Sequence, residues 1–190
     1  MNRSEFLATS SRLACGSCLA LIAGSRLGGT EAPAAEPETP VDEALKRARY
    51  ENAFTNNWMT DLFEAIDREV DPAVQLRLMQ ACGEGCYRRH AFKQDLAAEG
   101  RGDVDRLLAA YRRNFRIERE ADLVHIRYGD HCFCPAARNR PPRPNDLHCE
   151  CTRFTHETIF ANALGRHIRV ELVESVRRGG KTCHLIAHLA

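Results

Sequence analysis

Apolar residues recur at helical spacing through the first two-thirds of the chain and alternate near its end. Residues 41–50 and 57–70 predict two helices. In the second, Trp58, Leu62 and Ile66 recur every four residues, with Met59 and Phe63 beside them. Asp71-Pro72 predicts a helix start, Asp as N-cap and Pro at the first helical position. The helix that follows carries Val74, Leu78 and Cys82 on one stripe and is loosened by Gly83 and Gly85. Asp103 caps another, whose apolar face is Val104, Leu107, Leu108, Tyr111 and Phe115. Residues 123–128 predict a short strand, 129–148 a loop rich in proline and arginine, and 152–164 a helix closed by Gly165. Residues 167–175 and 182–189 alternate with period two and predict a hairpin around Arg177-Arg178-Gly179-Gly180. No repeat occurs at solenoid spacing. The fold class is therefore α+β (mixed α/β): a helical N-terminal half packed on a small antiparallel sheet, with a βαββ C-terminal half.

Composition changes this picture little. Of 190 residues, 44% are hydrophobic and 28% charged, as in ordinary globular chains. A net charge of +1 provides no field to gather nucleic acid, so no nucleic-acid partner is expected.

The first forty residues read differently. Charge at Arg3 and Glu5, an apolar run over residues 13–27, then small residues form the layout of an export signal. Arg12 and the short length argue against a membrane span, so no transmembrane anchor is expected in the mature form. The opening resembles a twin-arginine signal, with Arg3 before Phe6-Leu7 and Ser4 in the second arginine's place. Ala32-Pro33-Ala34 offers a small-x-small cleavage site. The expected organisation is an export signal over 1–30, a proline-rich linker over 31–40, and one domain over 41–190, in a periplasmic or otherwise exported protein.

The nine cysteines carry the chemistry. Cys15 and Cys18 fall in the N-terminal segment, which leaves seven, an odd number that rules out complete pairing. Cys132-Phe133-Cys134-Pro135 and Cys149-Glu150-Cys151 flank a loop, and two short cysteine pairs so placed can supply a tetrahedral ligand set. Disulfides between the pairs and buried thiols are the alternatives. Zinc is the expected metal; an iron-sulfur cluster is allowed by ligand type, although no dedicated spacing is matched. His131 and His148 precede the two motifs as a ligand, a hydrogen-bond donor to one, or solvent-facing residues. On the predicted hairpin, a four-residue loop pairs Glu174 with Cys183, which directs a carboxylate and a thiol into one apolar layer; a slip of one residue, or Glu174 in water at the strand end, is the alternative. A second thiol group, Cys82, Cys86 and His90, lies at spacings of four and faces one way on a helix. It reads as a second metal site, an activated nucleophile, or plain core.

The stretch from Cys149 to Leu189 resembles the 4-vinyl-reductase-like small-molecule-binding domain. The matching residues are a cysteine opening a helix, Phe160, Leu164-Gly165-Arg166, a strand ending Glu171-Leu172-Val173-Glu174, then Gly180 and Cys183. The Cys-Phe-Cys-Pro and Cys-Glu-Cys motifs also look like those of L-2-amino-thiazoline-4-carboxylate hydrolase-like proteins. The resemblance implies a zinc site with Cys151, Glu174 and Cys183 as ligands and an enclosed pocket for a hydrophobic small molecule. Ser175 stands where the family often has a further cysteine, and Cys149, Cys134 or Cys132 could replace it.

Three functions remain open. The first is a zinc-stabilised module that binds a small-molecule ligand. The second is a metal- or thiol-dependent hydrolase, in which zinc activates water or Cys86 attacks. The third is an iron-sulfur or thiol redox protein. Familiar signatures such as G-x-S-x-G, the P-loop, G-x-G-x-x-G and HExxH are absent from the sequence.

Overall fold

A computed structural model describes residues 40–190, apart from 136 and 139. The expected export signal with Cys15 and Cys18, and the linker as far as residue 39, lie outside the described residues. Five helices and a four-stranded sheet follow in the order α1 (Pro40–Glu69), α2 (Pro72–Arg89), α3 (Ala91–Glu99), α4 (Val104–Arg112), β1 (Arg116–Glu120), β2 (Leu123–Arg127), α5 (Glu150–Leu164), β3 (Arg169–Glu174) and β4 (His184–His188). The strands run antiparallel in the order β1-β2-β4-β3, so the class is α+β. No helix among the described residues is long and apolar enough to cross a membrane.

The core forms where one sheet face meets α4 and α5. Val124, Ile126, Val170, Leu185 and Ala187 point inward from the sheet, and Leu107, Leu108, Tyr111, Ile159, Phe160 and Ala163 meet them. These are the alternate strand positions and the helical stripe that the patterning requires. Asp71 caps α2 through the Ala73 amide at 2.8 Å, and Asp103 caps α4 through Arg106 at 3.0 Å. Gly165 ends α5 at φ 67°, in the left-handed region that glycine adopts without cost.

Four features differ from the sequence-based expectation. Residues 51–56 join the two expected helices into the single α1, because no glycine or proline interrupts them and Arg47 pairs with Glu51 one turn on. Only Phe63 of α1 is buried, while Tyr50, Phe54 and Trp58 are exposed. Helix α3 and strand β1 are additional. The first has a weak apolar face, and the second is an edge strand whose solvent side is charged, so neither carries a strong period. β1 makes the C-terminal half ββαββ. Helix α2 runs unbroken through Gly83, where it crosses α5: a Cβ there would lie 2.7 Å from both the Cys151 carbonyl oxygen and Phe154 Cβ. That glycine permits close helix approach. Finally, the hairpin keeps the register of a four-residue loop from Arg169 opposite His188 to Leu172 opposite Leu185, but a bulge between Leu172 and Glu174 sets Glu174 opposite His184, and a single 3-10 turn over Val176–Arg178 lies in the connection.

Candidate functional site

The loop between β2 and α5 is held by buried ion pairs. The Arg177 guanidinium, 2% exposed, donates to Asp146 Oδ2 at 2.6 Å and also to the Arg140 carbonyl. Arg140 in turn reaches Asp67 of α1, and Arg143 meets the same carboxylate at 2.6 Å. Arg178 donates to the Asp146 carbonyl at 2.8 Å and to Glu150 at 2.6 Å. Burial would raise the Asp146 carboxyl, but the His148 amide and the guanidinium groups of Arg177 and Arg140 outweigh it and hold it below its usual value. The other oxygen of Asp146 accepts from the His148 amide at 2.8 Å, which sets the chain direction into Cys149 and α5. Nothing in the sequence marked Asp67, Arg140, Asp146 or Arg177. Their signal is contact between residues far apart in the chain.

This anchoring brings thiols from three segments to one small cavity. It is lined by Cys132, Phe133, Cys134, His148, Cys149, Thr152, Leu172, Cys183 and Leu185 and has a volume of about 20 Å³. Cys134 Sγ and His148 Nε2 stand 3.2 Å apart, and Cys149 Sγ lies 3.0 Å from the buried hydroxyl of Ser175. Cys183, at the entry to β4, also contacts Ser175. Burial pushes the Cys149 thiol up to about 12 and raises Cys183 as well. Burial also pushes His148 down to about 4, so its imidazole is neutral. His148 Nδ1 is buried and has no hydrogen-bond partner among the described residues. Its ring meets Phe63 edge-on at 4.4 Å.

Other candidates lie elsewhere. Glu174 does not face the cavity. It accepts from the Lys181 amide at 2.7 Å and from the Thr182 hydroxyl at 3.0 Å, and so closes the β3–β4 connection. These bonds hold its carboxyl below the usual range. The expected pairing with Cys183 fails because a bulge between Leu172 and Glu174 takes Glu174 out of the register that the rest of the strand keeps, bringing it opposite His184. Cys151, two residues beyond Cys149, turns away from the cavity. Its thiol is pushed up to about 12 by burial and then by the sulfurs of Cys82, Cys86 and Cys134. Its backbone carbonyl packs on α2 at Gly83, between Cys82 and Cys86. His90 leaves that group: it sits between α2 and α3 in extended conformation, exposed, with its ring near Phe92. His131 is exposed beside Asp130. No disulfide joins the seven described cysteines, and no three His, Cys, Asp or Glu side chains among the described residues stand close enough to hold a metal ion as placed.

A buried polar chain adjoins both thiol groups. His156 on α5 stands between Tyr111, 3.1 Å from Nδ1, and Tyr128, 2.7 Å from Nε2. Burial, and after it the Lys93 charge, lowers His156 to about 3. Tyr128 stacks on Phe133 at 4.8 Å, which fixes the middle residue of Cys132-Phe133-Cys134.

A family model described as a family of unknown function (DUF6144) matches residues 40–189. The chain belongs to that family. The DUF6144 match covers every helix and strand described here, from the start of α1 to the end of β4. Comparison with curated proteins gives no match.

Proposed function

We propose that this DUF6144 protein is an exported metal-binding protein in which Cys132, Cys134, Cys149 and Cys183 hold one soft ion, zinc first. The observation that carries this reading is the cavity: four cysteines from three chain segments line one small space of about 20 Å³. A space that size admits one ion or one water, whereas an organic ligand needs roughly 300 Å³ or more. Thiolates suit zinc, and four of them give a closed structural site with no open position for a substrate. Beside the four cysteines, Cys134 Sγ and His148 Nε2 stand at hydrogen-bond distance, 3.2 Å. With sulfur in all four positions, His148 donates through Nε2 to Cys134 and positions it. Ser175 takes the place of the further cysteine expected from the 4-vinyl-reductase resemblance and bonds Cys149. When bound, the ion would fasten the β2–α5 loop to β4 and displace the thiol protons.

Metal analysis of anaerobically purified protein tests this reading. One equivalent is expected in wild type and in Cys151→Ser, with less than a tenth of an equivalent in Cys149→Ser. Equal metal in wild type and Cys149→Ser, or none in fully reduced wild type, overturns it. Strong visible absorbance would instead favour an iron-sulfur cluster.

A further inference from the structure

The thiols that the cavity leaves out form a site of their own. Cys82 and Cys86 lie one turn apart on α2, Cys151 lies in the first turn of α5, and Lys93 comes from α3. Lys93 Nζ is 2.7 Å from Cys86 Sγ, and both residues are partly buried. A surface lysine usually keeps its ammonium in water. Here the ammonium is turned onto one sulfur, so a sulfur that attacks as the anion has a counter-charge in contact. Cys86 is also half-exposed, so a small oxidant can reach it.

The helix crossing brings the backbone of Cys151 onto α2 beside these thiols. At Gly83 the two backbones approach so closely that a Cβ would strike the Cys151 carbonyl at 2.7 Å. Gly83 lies between Cys82 and Cys86 in sequence, so the start of α5 rests on α2 at the level of both. Cysteines four apart on one helix have Cβ atoms about 5–6 Å apart, too far for a disulfide, which needs roughly 3.5–4.5 Å. A bond within α2 would unwind it, whereas a bond from α2 to α5 spans a contact already made.

We propose that Cys86 is a peroxide-reactive thiol, with Lys93 as its counter-charge, and that Cys151 resolves it into a disulfide fastening α2 to α5. The Cys86 thiolate attacks the nearer oxygen of a hydroperoxide and the O–O bond breaks. The departing alkoxide takes a proton from water, leaving Cys86 as sulfenic acid. The Cys151 sulfur then attacks the Cys86 sulfur, and hydroxide leaves with the Cys151 proton as water. Two thiols are oxidised by two electrons, and one hydroperoxide is reduced to an alcohol and water.

The test uses the full chain, reduced and then treated with less than one equivalent of hydrogen peroxide. Alkylation and peptide mapping follow over time. A Cys86–Cys151 linked peptide is expected as the first product. Cys82→Ser leaves its rate unchanged, and Cys151→Ser accumulates a sulfenic acid at Cys86 that a dione reagent traps. Lys93→Met slows the first step about tenfold, the scale of one lost hydrogen bond to a charged group. Lys93→Arg restores most of the rate and separates the charge effect from misfolding. A first disulfide between Cys82 and Cys151, oxidation of Cys86 no faster than of Cys82, or a Lys93→Met protein as fast as wild type overturns the proposal.

Discussion

Asp146→Asn tests whether the loop carrying His148 and Cys149 is held by buried charge. The substitution keeps the side chain's shape and removes its negative charge. Arg177, 2% exposed at its side chain, then keeps a buried guanidinium whose remaining partner is the Arg140 carbonyl. Breaking a buried ion pair from one side costs about 3–5 kcal/mol, far more than the 0–1 kcal/mol of an exposed pair. The bond from the His148 amide weakens as well. For a domain of this size the loss corresponds to a fall of roughly 6–20 °C in Tm, or of roughly 1–3 M in the urea midpoint. The measurement belongs at pH 7, where the contribution is fully present. The folded carboxyl value is depressed, so this stability exists above the unfolded value and is lost only as pH falls through the folded one. Asp146→Asn combined with Arg177→Met removes both charges and should recover at least half of the loss, because no unpaired ion remains. A single-variant loss below about 1 kcal/mol, or a double variant worse than the sum of its parts, refutes the reasoning.

Four further outcomes are expected. Gly83→Ala should destabilise by about 1–3 kcal/mol in chemical denaturation, because its Cβ meets backbone atoms of α5; Gly85→Ala meets only the mobile end of Arg89 and should be neutral or gain up to ~1 kcal/mol in helix propensity. Stability should fall as pH drops from 6.5 towards 3: His156 is held near 3 in the fold, so its neutral form contributes fully above its unfolded value and the unfolded chain gains the proton first. Urea midpoints for wild type and His156→Gln across that range check this, and equal slopes would count against a buried neutral imidazole. Zinc affinity, measured by competition with a chelator, should rise about tenfold per pH unit for each thiol proton displaced, since Cys149 and Cys183 are protonated before binding. His148→Ala should weaken that affinity by about 10–100-fold, the usual effect of losing a donor to a ligand; no change would remove His148 from the site.

What the sequence could and could not reveal follows from the range of each interaction. The α4 face and the inward residues of β3 and β4 were legible, because burial of one face imposes a period on a short stretch of chain. The edge strand β1 was not, since Ile117 is the single apolar residue among the charges of Arg116–Glu120 and one residue makes no period. Within the cysteine motifs, spacing pointed to the two loops that line the cavity but could not separate Cys149 from Cys151. Cys149 sits at the N-cap of α5 and Cys151 is helical, about 200° further round the axis at 100° per residue, so the two sulfurs face different partners. Glu174 shows the same limit in a strand. The register through Leu172 was the expected one, but a bulge just before Glu174, which no alternation announces, set it opposite His184, and its carboxylate accepts from the loop amides. Residues that depend on distant partners, such as Asp146 with Arg177 and Cys86 with Lys93 and Cys151, leave no local period. The division of seven thiols into a small cavity and a lysine-flanked group on the α2–α5 crossing is therefore a property of the fold, set by Gly83 and by the buried arginine network rather than by the cysteine spacing.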